Sequence, residues 1–362
     1  MSTTCNYSVN SLSVAVFGGS GFLGRRICRE LVLSGHEVTS ISRNGRPPSY
    51  YTSSDDTDNW ANEVNWLAYT IHHEDDTVLE LPAIEAGISC IGNVNPDPDF
   101  DKLSFFGLTY DDERLFRENG PVNECAARFA KKCGAERFVF MSVSYEVAKM
   151  VEGPIDGYTK GKRYAEHSIC KLFGEDNCIV LGPSLIYGGN RFPILGKKYS
   201  EITRSGIVNA YANGMDALRN LSSSPIEDWV ERSLLSPPVE VTVVARVACA
   251  AALGAVTKEM VGPRRQNFFN EQGKPVIYDD VVYIDGTKEL ERIDELVIIP
   301  TKKEVKGGSY KMPLVIEPNS EGKEPIWEGA LVYKTPYLYP VPIIAFFSAL
   351  FHAIATGQFI NN

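Results

Sequence analysis

Val14-Ala15-Val16-Phe17-Gly18-Gly19-Ser20-Gly21-Phe22-Leu23-Gly24 is the stretch that decides the fold. Val14 to Phe17 is a short apolar run ended by glycines, as in a strand buried on both faces of a parallel sheet. From Phe22 to Ser34, Leu23, Ile27, Leu31 and nearby Val32 fall on one side of a helix, and Gly35 closes it. Between strand and helix, Gly18, Gly21 and Gly24 recur at every third residue. Glycine permits the tight turn and lets backbone approach a ligand with no Cβ in the way. A helix starting at the loop presents unpaired N–H groups and the positive end of its dipole to an anion. Strand, glycine loop and helix in this order read as a pyrophosphate site for a dinucleotide. Gly18, Gly19, Ser20, Gly21, Phe22, Leu23 and Gly24 are therefore candidate cofactor contacts.

Working outward, strand and helix patterns alternate from residue 12 to about 257. His36–Ser42, Ile88–Gly92, Arg137–Ser142 and Cys178–Ile186 read as strands; Asn123–Lys132 and Lys160–Phe173 read as helices. This alternation predicts an α/β fold, a Rossmann-like doubly wound parallel sheet. The end of the Ile88–Gly92 strand adds Cys90 and Gly92 to the cofactor candidates. After Thr257 the chain is rich in Lys, Glu, Pro and Gly, and 258–340 reads as an appended, mainly β or irregular segment. The last segment, 341–362, reads as an apolar C-terminal helix. Its run from Pro342 to Ala355 is shorter than the roughly 20 residues that span a bilayer, so a packing helix and a membrane-associating helix both remain open.

Composition narrows the function classes. Lys and Arg number 36 against 46 Asp and Glu, for a net charge of -10 over 362 residues. A nucleic-acid partner would call for a basic excess, so none is expected. The 8 cysteines form no CxxC pair and read as buried, reduced thiols, not a zinc site. His72-His73, adjacent in sequence, do not converge on a metal, and no metal site is expected. The residues before Leu12 lack the apolar core of a signal peptide and the arginines of a transit peptide. That pattern fits a cytosolic protein or a trimmed mature form.

An acid at the end of the second strand would bind the ribose 2′-OH of NAD. Here the chain reads Ser40-Ile41-Ser42-Arg43-Asn44-Gly45-Arg46, with no acid. The planar fork of Arg43 suits a 2′-phosphate, with Ser42 as a further donor, so NADP(H) is favoured over NAD(H). Ser142 ends the Arg137–Met141 run, where a parallel sheet places its chemistry. Tyr158 and Lys162 are four residues apart, on one helical face. An ammonium beside a phenol is expected to lower its pKa and free it for acid–base work. Ser142, Tyr158 and Lys162 are the candidate catalytic residues, with Lys162 also reaching the nicotinamide ribose. Ser144 is the competing serine.

The glycine loop, Ser142, Tyr158-x-x-x-Lys162 and Gly182-Pro183-Ser184-Leu185-Ile186-Tyr187-Gly188 together resemble the atypical, extended branch of the short-chain dehydrogenase/reductases. Within it the chain is similar to the group of the NADPH-binding accessory subunit of mitochondrial complex I. That group includes the dehydrogenase-like protein of fungal coenzyme Q biosynthesis and related plant organelle proteins. Ser40–Gly45 and Leu235–Ala245 add to the likeness, which covers residues 12 to 257. The resemblance implies a bound nicotinamide dinucleotide with Pro183 near it. It implies a mitochondrial location on the matrix side of the inner membrane, ahead of plastid or cytoplasm. Two positions depart from the family: Thr70 stands where an adenine-contacting Asp is frequent, and Gly182 where an Arg usually precedes the proline. Three functions stay open: an NADPH-dependent oxidoreductase on a hydrophobic carbonyl or quinone-type substrate, a non-catalytic NADPH-holding subunit of an organelle membrane complex, and an NADPH sensor. The apolar C-terminus points to a membrane surface or membrane-complex partner.

Overall fold

The computed structural model describes residues 8–9, 11–47, 59–73, 81–94, 111–151, 155–174, 176–189, 195–203, 237–261, 268–269, 275–276, 281–299, 310–311 and 314–315. Seven strands form one sheet: β1 (Ser13–Phe17), β2 (Glu37–Ser42), β3 (Val64–Ala68), β4 (Ala86–Ser89), β5 (Arg137–Met141), β6 (Cys178–Gly182) and β7 (Val282–Asp285). Their spatial order is β3-β2-β1-β4-β5-β6-β7, and every neighbouring pair is parallel. The order reverses between β1 and β4, which opens the crevice where such sheets take their ligands. The protein is a Rossmann-like α/β fold, as the strand–helix alternation predicts.

Six helices concern the site: α1 (Gly24–Leu33), α2 (Asp112–Asn119), α3 (Pro121–Lys132), α4 (Asp156–Phe173), α5 (Val241–Ala252) and α6 (Gly286–Leu296). Because side chains alternate across a strand, each strand feeds two cores. Val14, Val16, Ile88, Val139, Ile179 and Ile284 pack with α1, α5 and α6. Ala15, Phe17, Phe138, Phe140 and Val180 pack with α3 and α4 on the other face. The near-continuous apolar runs of β1 and β6 follow from this double coverage.

The strand ends differ from the sequence reading in instructive ways. β6 stops at Gly182, before Pro183, which has no N–H for the ladder. Helix α4 starts at Asp156, so Tyr158 and Lys162 lie within one continuous helix. Gly157 and Gly161 on α4 let α2 lie against it. A Cβ at Gly157 would collide with the Asp112 carbonyl, and one at Gly161 would come 2.9 Å from that of Phe116.

The sheet also extends past Thr257, where the sequence reading ends the dinucleotide domain. β7 pairs in parallel with β6, Val282 opposite Ile179 and Asp285 opposite Gly182. Ile284, Leu290 and Ile293 are fully buried in the first core. The 258–340 segment is thus no mere appendage; part of it completes the sheet edge. This also accounts for Gly182. A Cβ there would stand 2.9 Å from the Tyr283 hydroxyl and 3.0 Å from the Asp285 carboxylate, so β7 fills the space an arginine would need. The 341–362 helix lies outside the described residues. Among those described, no helix is long and apolar enough to cross a membrane.

Candidate active site

The glycine loop is built as its spacing requires. Gly18 has φ +79° and donates its N–H to the Ile41 carbonyl at 2.8 Å; the Cys90 N–H reaches the Phe17 carbonyl at 2.8 Å. These two bonds join the loop to the strands on either side of the crevice. A Cβ at Gly24 would collide with the Gly18 carbonyl oxygen, and one at Gly19 with the Ser40 hydroxyl. The turn therefore closes only around glycine. Phe22 and Leu23 are buried in the core beneath it. Helix α1 begins with no side-chain cap and no acid in its first turn, and buried Arg25 stands there instead. Acids are the favourable charges at that end of a helix, so this composition suits an anion supplied from outside. These features fit the pyrophosphate of a dinucleotide.

The Ser42 hydroxyl accepts the Ser20 N–H at 3.0 Å, tying the loop to the end of β2. Arg43 follows and is exposed. Arg46, three residues on, donates to the Asn62 side-chain oxygen at 2.6 Å. Cys90 is half-buried, and the low polarity around its thiol pushes it up to about 12, with Lys162 pulling the other way. A Cβ at exposed Gly92 would sit 3.2 Å from the Lys162 Nζ. Pro183 is buried and its carbonyl accepts the Ser144 N–H at 2.9 Å, one of the bonds that shape the chain after β5.

Ser142, Tyr158 and Lys162 gather at the carboxyl end of β5. Lys162 is 4% exposed, and its Nζ donates to the carbonyls of Met141 at 2.9 Å and Ile91 at 3.1 Å. The Nζ also stands 4.9 Å from the Phe140 ring and 5.9 Å from the Tyr158 ring. Burial pulls Lys162 down to about 8, with the neighbouring Cys90 and Glu166 acting in the opposite direction. Tyr158 departs from expectation. Its phenol is pushed up, first by burial and then by Glu166, not down by the lysine. The physical reason is the lost solvation of the phenolate on burial, to which the negative charge of Glu166 adds.

That carboxylate is the residue the sequence reading missed. Glu166 is 5% exposed and accepts the hydroxyl of Ser142. Tyr158, Lys162 and Glu166 recur every four residues on α4, so a polar stripe on an otherwise packed helix was the available signal. Ser144, by contrast, is buried with a hydroxyl that finds no partner among the described residues. A second missed group pins the loop after β4. Asn119 donates to the Asn93 carbonyl at 2.7 Å and accepts its N–H at 3.0 Å, while Asn123 bonds Ser89 at 2.5 Å. The loop that offers the Ile91 carbonyl to Lys162 is thereby held. Among the described residues, no three or more His, Cys, Asp or Glu side chains gather as a metal would need.

Comparison with known proteins places this geometry in context. The chain matches no family model. It is 29% identical over 241 residues to an uncharacterized chloroplastic protein of Arabidopsis thaliana, across 64% of this chain and 69% of that one. It is 48% identical over 60 residues to MIOREX complex component 2 of Saccharomyces cerevisiae, which is 17% of this chain and only 21% of the yeast protein. Among solved structures, BdcA in complex with NADPH is 17% identical with a TM-score of 0.42, over 69% of this chain and 92% of that one. The Bordetella bronchiseptica enzyme WbmG in complex with NAD is 12% identical with a TM-score of 0.40, over 85% and 86%. The chain's own strand order, not likeness at this level, establishes the fold.

Proposed function

We propose that this chain is a short-chain dehydrogenase/reductase-like oxidoreductase. In this reading it holds a nicotinamide dinucleotide at the glycine loop and works on a hydrophobic carbonyl or quinone-type substrate beside Ser142. The observation that carries this reading is the Lys162 ammonium, buried between the carboxyl ends of β4 and β5, beside Tyr158 and bonded to the carbonyl of the residue before Ser142. A bound, reduced dinucleotide would supply the hydride. Tyr158 holds its proton, as its raised pKa implies, and so serves as the acid that protonates the substrate oxygen. Lys162 is the nearby cation that returns a proton to the phenolate. Arg43 favours NADP(H) through a 2′-phosphate. We further place the chain in an organelle, mitochondrial ahead of plastid, with its apolar C-terminus against a membrane or a membrane complex. The chloroplastic relative supports an organelle, and the likeness to the group of the complex I accessory subunit, with its Ser40–Gly45 and Leu235–Ala245 segments, supports the mitochondrion.

One observation favours the second reading, a dinucleotide-holding subunit without turnover: the Ser142 hydroxyl is taken up by Glu166. Tyr158→Phe separates the two, since it removes one hydroxyl and leaves the ring to pack. In the oxidoreductase, NADPH oxidation with quinone-like carbonyls falls by about 10²-fold or more while NADPH affinity stays within about threefold. An unchanged rate rejects Tyr158 as the acid.

A further inference from the structure

Glu166 joins three elements at one buried point. It projects from α4 and accepts the hydroxyl of Ser142 at the end of β5. It also lies 3.5 Å from the Tyr283 hydroxyl on β7. Tyr283 is itself fixed, donating to the Val143 carbonyl at 3.1 Å. A buried carboxylate is costly unless hydrogen-bonded, and here Ser142 is the close donor, while the single Tyr283 O–H goes to the nearer Val143 carbonyl. Because Ser142 gives its proton to Glu166, its oxygen turns lone pairs toward whatever else approaches.

We propose that Glu166 is the positioning residue of this site: it fixes the Ser142 hydroxyl and supplies a buried negative charge one helical turn from the Lys162 ammonium. The proposal rests on the reading of Ser142, Tyr158 and Lys162 given above. The groups around the ammonium are the Tyr158 ring and Glu166 from α4, the Cys90 thiol beyond β4, the Phe140 ring from β5, and the Ile91 and Met141 carbonyls. On β7, Asp285 is turned to the Tyr145 N–H at 3.0 Å. Of these groups Glu166 is the carboxylate, four residues from Lys162 along the same helix, and its charge favours the protonated amine.

The test is a titration of Lys162 by NMR of ¹³C-labelled lysine in the full chain without added nucleotide, assigned with Lys162→Met. The wild-type midpoint is expected at about 8. Glu166→Gln keeps the shape and an acceptor for Ser142 but removes the charge, and should lower the midpoint by about one unit. Glu166→Asp should restore most of the shift. A Glu166 that merely fills space leaves the midpoint unmoved in Glu166→Gln, which overturns the proposal. A second arm needs no variant of Glu166. The Ser142 hydroxyl proton, buried on a carboxylate, should give a slowly exchanging downfield proton signal that Ser142→Ala abolishes. Its absence in the wild-type protein also overturns the proposal. Both arms are read without nucleotide, so a failure of NADPH binding rejects the oxidoreductase reading and leaves this result standing.

Discussion

The Tyr283 hydroxyl donates to the Val143 carbonyl at 3.1 Å, so the last strand of the sheet is bonded to the residue next to Ser142. The candidate site is therefore not finished by the first two-thirds of the chain. β7 closes the sheet edge against β6, fills the space beside Gly182 and holds the turn that carries the serine.

If β7 belongs to the main core, truncating it costs what a core truncation costs. Ile284 is fully buried between sheet and helices. Ile284→Ala should destabilise the protein by about 2–5 kcal/mol in chemical denaturation, in one cooperative transition. A separate low-stability transition that leaves the rest unaffected would mean that 282–296 folds apart from the sheet.

The pH dependence of stability follows from Lys162. Its folded pKa lies near 8, below the ordinary value of 10.5. Between these two pH values the unfolded chain binds more protons at this residue than the folded one. Stability from this group therefore rises with pH across the window, is fully present above it, and is lost as pH falls through 8. The neutral amine keeps N–H donors for the Met141 and Ile91 carbonyls. The difference in unfolding free energy between wild type and Lys162→Met should favour wild type increasingly from pH 8 to 10, by at most about 1.4 kcal/mol per unit. A flat difference would mean that the amine is not depressed.

The proposed preference for NADP(H) rests on Arg43. Arg43→Glu removes a charge-assisted contact to a 2′-phosphate and adds repulsion, so NADPH affinity should fall by about tenfold or more. NADH affinity should change by less than about threefold. Equal losses for the two nucleotides would remove Arg43 from the site.

The parts that were legible in sequence are those set by local pattern. The Gly18–Gly24 loop shows its strand, turn and helix within a dozen residues, and Tyr158 and Lys162 show their spacing within one helix. β7 was not legible because Val282–Asp285 is a four-residue run in a charged stretch. Its pairing is with β6, a hundred residues away, and local periodicity carries no trace of that contact. Gly182 was read as a departure from the family, and its reason lies in the same distant strand. Glu166 hid for a different cause: a charged residue late in a helix reads as solvent-facing until the fold buries it. The lowered phenol pKa expected for Tyr158 failed on this point, since it weighed Lys162 alone and left out both burial and the carboxylate one turn beyond.

Direct titration of the purified wild-type chain with NADPH and with NADH, alongside Gly24→Ala, tests the central claim that this loop holds a nicotinamide dinucleotide. A Cβ at position 24 collides with the Gly18 carbonyl and distorts the turn. The account predicts saturable binding of both nucleotides to wild type, tighter for NADPH, and at least a tenfold loss of both in Gly24→Ala with its circular dichroism spectrum retained. A folded wild-type protein that binds neither nucleotide, or a Gly24→Ala variant that binds as well as wild type, would contradict it.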